Sequence, residues 1–270
     1  MRTWRSVSWV VIAAAGLPAC LQADDDSTGE PVETVDSDSP ELASIASSAL
    51  TSGVFDVGVI PDFGLSCPAG SDEIVIRMDD EDDGNASTRT GFVGKTNAGE
   101  TSTATRFYFC KVDGTLFKPF STAANAAEQR DDYAVLKLGT TCPAGTQEFS
   151  RHFDNEDSDN RNFATGVISP NVVNQDTTLN FCLFRYAATG VATMSAFPNL
   201  GSGFRYGVFG PSDFNRGALA FGTIRSDDED SGNTSTYTVP TDALSAAKRI
   251  IEPDSSVSHG ATLLRVIRAR

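Results

Sequence analysis

An acidic heptapeptide occurs three times in this chain at nearly equal spacing. The copies begin at Asp79, Asp154 and Asp227, which are 75 and 73 residues apart, and all share the pattern Asp-x-Glu-Asp-x-x-Asn. Self-similarity at a fixed period is the signature of a repeat architecture, in which one structural unit recurs along the chain. The sequence therefore predicts three related units, each carrying one acidic loop.

The similarity between copies extends beyond the acidic segment. Cys67-Pro68-Ala69-Gly70 aligns with Cys142-Pro143-Ala144-Gly145, each cysteine standing twelve residues before the first Asp of its loop. A segment that ends at Cys110 aligns with one that ends at Cys182, and its predicted counterpart in the third copy is Leu263-Leu264-Arg265-Val266. We divide the folded region into repeats at 55–130, 131–203 and 204–270, of which the third lacks cysteine.

Four of the five cysteines lie in the first two repeats, two in each. Three pairings are possible from the sequence alone. Because the third repeat has lost both members together, bridges within repeats are favoured: Cys67 with Cys110 and Cys142 with Cys182. Each bridge would close a loop of about 40 residues, for which the chain-entropy estimate is about 4 kcal/mol.

The N-terminus has the features of an export signal. Two arginines precede an apolar run from Val10 to Leu17, which is too short for a membrane span. The run ends in Leu17-Pro18-Ala19-Cys20, which resembles the lipobox of bacterial lipoproteins. This resemblance covers residues 1–20 and implies cleavage before Cys20, a diacylglyceryl group on its sulfur, and a place in the outer membrane or at the cell surface. The alternative is an ordinary cleaved signal, which would leave the fifth cysteine unexplained.

Residues 21–54 are rich in Asp, Glu, Ser and Thr and contain no aromatic residue. Such a composition cannot bury enough apolar surface to fold. We therefore expect a disordered acidic tether between the signal and the first repeat.

Beyond the tether, apolar residues come in short β-branched or aromatic runs separated by turn residues, a pattern typical of an all-β protein. Each repeat is predicted to hold about four strands. One helix is expected at Thr241 to Ile251, with Thr241 or Asp242 as its N-cap. We expect the three repeats to pack as one compact all-β body. The alternative is three separate small β-sandwich modules.

The acidic loops are candidates for calcium sites. Calcium takes six to eight oxygen ligands from carboxylates, amides and carbonyls, and each loop places four suitable side chains within seven residues. The candidate ligands are Asp79, Glu81, Asp82 and Asn85; Asp154, Glu156, Asp157 and Asn160; and Asp227, Glu229, Asp230 and Asn233. The first copy also resembles the start of an EF-hand loop. The twelfth position, however, is Thr90, Thr165 or Thr238 in place of the bidentate Glu, so only the idea of dense oxygen ligands is retained.

Two other interpretations of the loops remain open. They could be solvated hairpin ends, each with one ion pair to the basic residue two positions earlier, Arg77, His152 or Arg225, since alternate residues of a strand share a face. They could also form an acidic contact surface for a partner. Retention of the loop in the third repeat, which has lost its cysteines, favours a functional role.

No catalytic motif is evident in the sequence, and the chain has only two histidines. We therefore expect no enzymatic activity. Equal copies favour repeated binding, which gains strength through multivalency, and the formal charge of −15 argues against a nucleic-acid partner. The predicted function is a lipid-anchored envelope protein with a triplicated, calcium-dependent module for surface or glycan recognition. The alternative is a purely structural envelope lipoprotein.

Overall fold

The computed structural model describes residues 53–81, 85–98, 103–121, 131–157, 159–214, 216, 220–229, 232–254, 256 and 260–270. All of them belong to one compact unit. The predicted signal, Cys20 and nearly all of the predicted tether lie outside this part of the chain. Among the described residues, no helix combines the length and apolar character that crossing a membrane requires.

Each predicted repeat contains five strands, which form one antiparallel sheet. In the first repeat these are β1 (Asp56–Pro61), β2 (Glu73–Asp79), β3 (Thr88–Gly91), β4 (Thr96–Ala98) and β5 (Ala104–Asp113). In the second they are β6 (Tyr133–Lys137), β7 (Gln147–Phe153), β8 (Phe163–Thr165), β9 (Val172–Val173) and β10 (Thr177–Phe184). In the third they are β11 (Tyr206–Phe209), β12 (Phe221–Asp227), β13 (Thr236–Thr238), β14 (Ile251–Asp254) and β15 (Ala261–Arg268).

The first strands of the three repeats pair with one another. Strand β1 pairs with β6 and β11, and β6 also pairs with β11. Every residue in these three strands is buried, because apolar clusters cover both faces of the sheet here. Along β1, Val57 and Val59 belong to one cluster and Ile60 to the other, as the alternation of side chains in a strand requires.

Outer strands link the repeats in cyclic order. Within each repeat the fifth strand pairs with the first and the second: β5 with β1 and β2, β10 with β6 and β7, β15 with β11 and β12. The third strand then leaves its own repeat, since β8 pairs with β2, β13 with β7 and β3 with β12. The three repeats therefore share one sheet, which confirms the all-β class and the packing into one body.

Phenylalanines from all three repeats meet in one of the two cores. The ring of Phe209 lies 6.4 Å from Phe107, 6.3 Å from Phe109 and 5.4 Å from Phe181, between ring centroids. Burying one such side chain contributes about 1.5–3 kcal/mol relative to leaving it exposed. Packing of the repeats against each other is thus a main source of stability.

The prediction from the sequence did not include the fourth strand of each repeat, which has only two to four residues. The predicted helix is present as a 3₁₀ turn at Thr241–Ala243 followed by α1 (Leu244–Ile250). The predicted cap is wrong, because neither the 3₁₀ turn nor α1 has a side-chain hydrogen bond that caps its N-terminus. Asp242 instead accepts a hydrogen bond from Gln147 Nε2 at 2.9 Å. Helix α1 buries Ala246, Ala247 and Ile250 in the core that contains Phe209.

Both predicted disulfides are confirmed, Cys67 with Cys110 and Cys142 with Cys182. The predicted counterpart in the third repeat is displaced by one residue. In the strand register, Glu73 lies opposite Cys110 and Glu148 lies opposite Cys182. The equivalent residue of the third repeat, Phe221, lies opposite Ile267 and not opposite Val266. Ile267 lies in the same apolar cluster as Cys110 and Cys182, so an apolar side chain stands there in place of a bridge.

Candidate metal centre

The acidic loops follow strands β2, β7 and β12, and their first three residues are buried. At the first position the exposed fractions are 4% for Asp79, 7% for Asp154 and 3% for Asp227. At the third position Glu81, Glu156 and Glu229 are each 6% exposed. The first half of each loop therefore faces protein, because the three loops lie against one another.

The first aspartates fasten the loops together. Oδ2 of Asp79 accepts a hydrogen bond from the backbone N–H of Arg161 at 2.6 Å, in the second repeat. Oδ2 of Asp154 accepts one from Thr234 at 2.5 Å, in the third repeat, and Oδ2 of Asp227 accepts one from Ala86 at 2.6 Å, in the first. Each bond runs from one repeat to the next, in the same cyclic order as the strand pairing.

Backbone hydrogen bonds then place the glutamates. The N–H of Glu156 donates to the carbonyl of Asp79 at 3.1 Å, and the N–H of Glu229 donates to the carbonyl of Asp154 at 2.9 Å. One carboxylate oxygen from each of Glu81, Glu156 and Glu229 lies within 4.8 Å of the other two. The structure thus brings one predicted ligand from each loop to a single shared point.

The loop asparagines support the backbone around that point. Nδ2 of Asn85 donates to the carbonyl of Glu81 at 2.6 Å, and Nδ2 of Asn160 donates to that of Glu156 at 2.5 Å. Oδ1 of Asn233 accepts from the N–H of Ser235 at 2.8 Å, and the other two asparagines accept from equivalent donors. Their amides shape the turns that present the glutamates.

The fourth acidic position is described only in the second loop. There Asp157 is exposed, and its Oδ1 accepts a hydrogen bond from Gln175 Nε2 at 2.8 Å. Asp82 and Asp230 lie outside the described residues. The side chain of Asp157 thus contacts Gln175, while its backbone N–H donates to Oε2 of Glu229 at 3.2 Å.

The basic residue two positions before each loop behaves as expected only once. Arg77 forms an ion pair with Asp79 at 2.7 Å. His152 instead faces Asp176 at 3.6 Å, and Arg225 pairs with Asp254 at 2.7 Å. The other two aspartates are held by the cyclic backbone bonds already described.

A sequence model of the bacterial ApeC family matches residues 36–193, which is more than half of the chain. This chain belongs to the bacterial ApeC family. The match includes part of the predicted tether, the first repeat, most of the second repeat and the acidic loops of both, and it ends before the third repeat. No curated protein and no solved structure matches the chain.

The second position of each loop in this ApeC chain was not among the predicted ligands, yet it is the most buried. Asp80 and Asn155 are 0% exposed and Asp228 is 1% exposed. Hydroxyl groups surround Asp80, which accepts hydrogen bonds from Ser87 at 2.5 Å, Thr105 at 2.7 Å and Ser226 at 2.8 Å. The only signal in the sequence was that this variable position is always Asp or Asn.

Burial dominates the electrostatics of these second-position acids. It raises the pKa of Asp80 to about 7 and that of Asp228 to about 6, because desolvation disfavours the charged form. Arg151 opposes the shift at Asp228 through an ion pair of 3.1 Å. The junction of the loops is thus a region of buried acidic groups, which is the environment in which a bound cation gives the largest stabilisation.

Oxygen donors of this kind suit a hard divalent cation. Calcium accepts carboxylates, carbonyls and water at about 2.3–2.6 Å with flexible geometry. Three ligands in a plane around calcium lie about 4.2 Å apart by that geometry. One carboxylate oxygen from each glutamate of this ApeC chain lies within 4.8 Å of the other two, which is compatible with that spacing.

Proposed function

We propose that the folded region is a binding module of the bacterial cell envelope, and that its three acidic loops jointly hold one calcium ion. The convergence of three buried glutamates, one from each repeat, is the observation that carries this proposal. It changes the expected stoichiometry. Three independent loops would bind three ions, whereas one shared centre binds one.

Electrostatic repulsion supports a bound cation. Two unit charges about 4 Å apart repel by about 4 kcal/mol at the effective dielectric constant of a protein surface. Hydrogen bonds offset part of the repulsion between the three glutamates, such as the one from the backbone N–H of Asp157 to Oε2 of Glu229 at 3.2 Å. A divalent cation between them converts this repulsion into attraction.

The calcium response of the full chain tests the proposal. We expect the melting temperature to rise with calcium and fall with chelator, and calorimetry to give one ion per chain. Glu156→Gln should abolish the response, because it removes one of the three converging carboxylates.

Asp157→Asn is the matched control in the same loop. Asp157 is exposed and contacts Gln175, so this variant should keep the full calcium response. A melting temperature that does not change at millimolar calcium, or an equal loss in both variants, would contradict the shared centre.

The envelope location rests on the lipobox-like segment and on the two disulfides. Disulfides persist in oxidising compartments such as the periplasm and the cell surface. Cys20 is the one cysteine left for lipidation. We propose that its lipid anchors the chain to the membrane.

Fractionation of cells that produce Cys20→Ser tests the anchor. The variant should leave the membrane fraction and appear in the soluble or secreted fraction, since it has no site for the lipid. Cys67→Ser serves as control and should remain with the membranes. Unchanged membrane retention of Cys20→Ser would exclude the anchor.

A glycan-binding panel distinguishes between recognition of a surface ligand and a purely structural role. A chain that takes up calcium but retains no glycan, with or without chelator, would support the structural alternative.

A further inference from the structure

Two clefts occupy equivalent positions at junctions between repeats. One lies where β12 of the third repeat meets β3 of the first, has a volume of about 180 Å³ and is lined by Phe221, Thr223, Arg265 and Thr90. The other lies where β7 meets β13, has a volume of about 430 Å³ and is lined by Glu148, Ser150, Asn180 and Thr238. The recurrence indicates that the cyclic strand exchange itself creates a cleft on the sheet.

Strand register shows which side chains are equivalent. Thr223 lies opposite Arg265 on the neighbouring strand, as Ser150 lies opposite Asn180. Phe221 therefore takes the place of Glu148, and Arg265 takes the place of Asn180. The two clefts have the same backbone design but different chemistry.

The third junction, between the first and second repeats, carries different side chains at the equivalent positions. Glu73 and Tyr108 stand at the positions of Phe221 and Arg265. Lys95 pairs with Glu73 at 2.5 Å and lies 4.3 Å above the ring of Tyr108. An exposed phenylalanine beside an arginine occurs at two of the junctions in the described chain. Phe221 and Arg265 line the cleft between the third and first repeats. Phe163 is 39% exposed and lies 5.5 Å from the guanidinium of Arg106 between the first and second repeats.

A second cleft adjoins the one at Phe221. It has a volume of about 330 Å³, shares Gly91 with its neighbour, and is lined by Phe63 and Arg89. Phe63 is 74% exposed and Phe221 is 40% exposed, whereas most other phenylalanines of the described chain are buried. Exposed aromatic side chains that line concave surfaces are typical of binding sites.

Positive charge gathers around this pair of clefts, although the chain carries a formal charge of −15. Arg205 and Arg268 both pair with Asp62, which lines the cleft at Phe63. Arg265 pairs with Glu252. These three arginines face two acidic side chains, so the surface suits a ligand that carries negative charge.

We propose that the adjoining clefts at Phe221 and Phe63 bind a carboxylate-bearing polysaccharide, a uronic-acid chain being the simplest probe. The C–H face of a sugar ring packs on an exposed phenyl ring, and its hydroxyl groups bond to threonine. Arginine binds carboxylate through two parallel hydrogen bonds. A cleft of about 180 Å³ is smaller than the roughly 300 Å³ of a drug-sized pocket, so it admits one sugar unit of an extended chain.

The position of the clefts separates this site from both the metal centre and the chain entry. Phe221 begins β12 and Asp227 ends it, which places the acidic loops about 20 Å away at 3.3 Å per residue. The chain enters β1 at Asp56, and Phe63 follows the opposite end of that strand. The site therefore lies beyond the end of β1 that is opposite to Asp56.

Calorimetry with the full chain in buffer without added calcium tests the site, with oligogalacturonate as the ligand and maltoheptaose as the neutral control. Oligogalacturonate should bind with an affinity that falls as salt rises, and maltoheptaose should bind at least tenfold more weakly. Phe221→Ala and Arg265→Gln should each weaken binding at least fivefold. Glu148→Ala, the matched variant in the equivalent cleft, should change affinity less than twofold.

Several outcomes would overturn the proposal. These are no binding of oligogalacturonate, equal binding of maltoheptaose, or equal effects of Phe221→Ala and Glu148→Ala. Binding to phosphatidylglycerol vesicles that Phe221→Ala abolishes, without binding of the glycan, would assign the surface to a membrane instead. The site extends the proposed binding role but does not depend on the metal: Glu156→Gln should lose its calcium response and keep glycan binding, so each proposal fails separately.

Discussion

Equivalent residues in the three repeats solve the same burial problem in different ways. At the second position of the acidic loop, Asn155 avoids charge, Asp80 is surrounded by hydroxyl groups, and Asp228 faces Arg151. The sequence identified the loops, but it could not show which side chains point inward, because Asp, Glu and Asn positions were all retained together. The contacts between the loops determine that the glutamates, and not the other acidic residues, converge at one point.

A buried aspartate outside the loops gives a test of pH dependence. Asp132 is fully buried, and its Oδ1 accepts a hydrogen bond from the N–H of Tyr186 at 3.0 Å. Burial raises its pKa from 3.8 to about 6, against the effect of that hydrogen bond and of Arg185 and Arg249. The folded state therefore holds the proton more tightly than the unfolded state.

Stability from this group is full below about pH 4 and is lost as pH rises through about 6. Asp132→Asn should raise the free energy of unfolding at pH 8 by about 1–3 kcal/mol, because no charge must then be buried. The gain should shrink to near zero at pH 4. Urea denaturation at both pH values measures it, and an equal effect of the variant at both would show that burial of the Asp132 charge is not the cause.

At the scale of single elements, strand positions followed from the short apolar runs, and the disulfides followed from comparison of the copies. The fourth strands were missed, because two to four residues give too little periodicity to recognise. The helix cap was wrong because Asp242 pairs with Arg185 at 3.3 Å and bonds to Gln147. Tertiary contacts of this kind override a local capping preference.

The disulfides should stabilise the first and second repeats. The third repeat has no disulfide, and apolar packing of Ile267 takes its place. Replacing Cys67 and Cys110 by Ser opens a loop with a sequence separation of 43 residues. We expect a loss of about 2–4 kcal/mol in the free energy of unfolding, measured by urea denaturation. Cys20→Ser is the control and should leave the free energy unchanged. An unchanged midpoint in the double variant would mean that the bridge does not constrain the unfolded chain.

At the scale of the whole molecule, the period of 73 to 75 residues predicts three equivalent units, but it could not indicate how strands are exchanged between them. The third strand of each repeat pairs with the preceding repeat in cyclic order, and such pairing depends on long-range contacts that leave no local pattern. The same exchange explains why the acidic loops converge. Strands β2, β7 and β12 run in equivalent directions, and each delivers its loop to the same end.

Cyclic exchange makes the repeats interdependent, and removal of one should therefore unfold the other two. A chain that ends at residue 203 loses the partner of β3, one of the two partners of β7, and the contacts of β11 with both β1 and β6. It also loses Phe209, which touches phenylalanines of both remaining repeats. We expect no cooperative unfolding transition by circular dichroism and strong binding of a hydrophobic dye. Separate β-sandwich modules would instead leave two folded repeats, so a cooperative transition in the shortened chain would contradict the interdependence. If the transition is absent, a third repeat supplied as a separate chain should restore it when the two are refolded together, because the lost strand partners are all contained in residues 204–270.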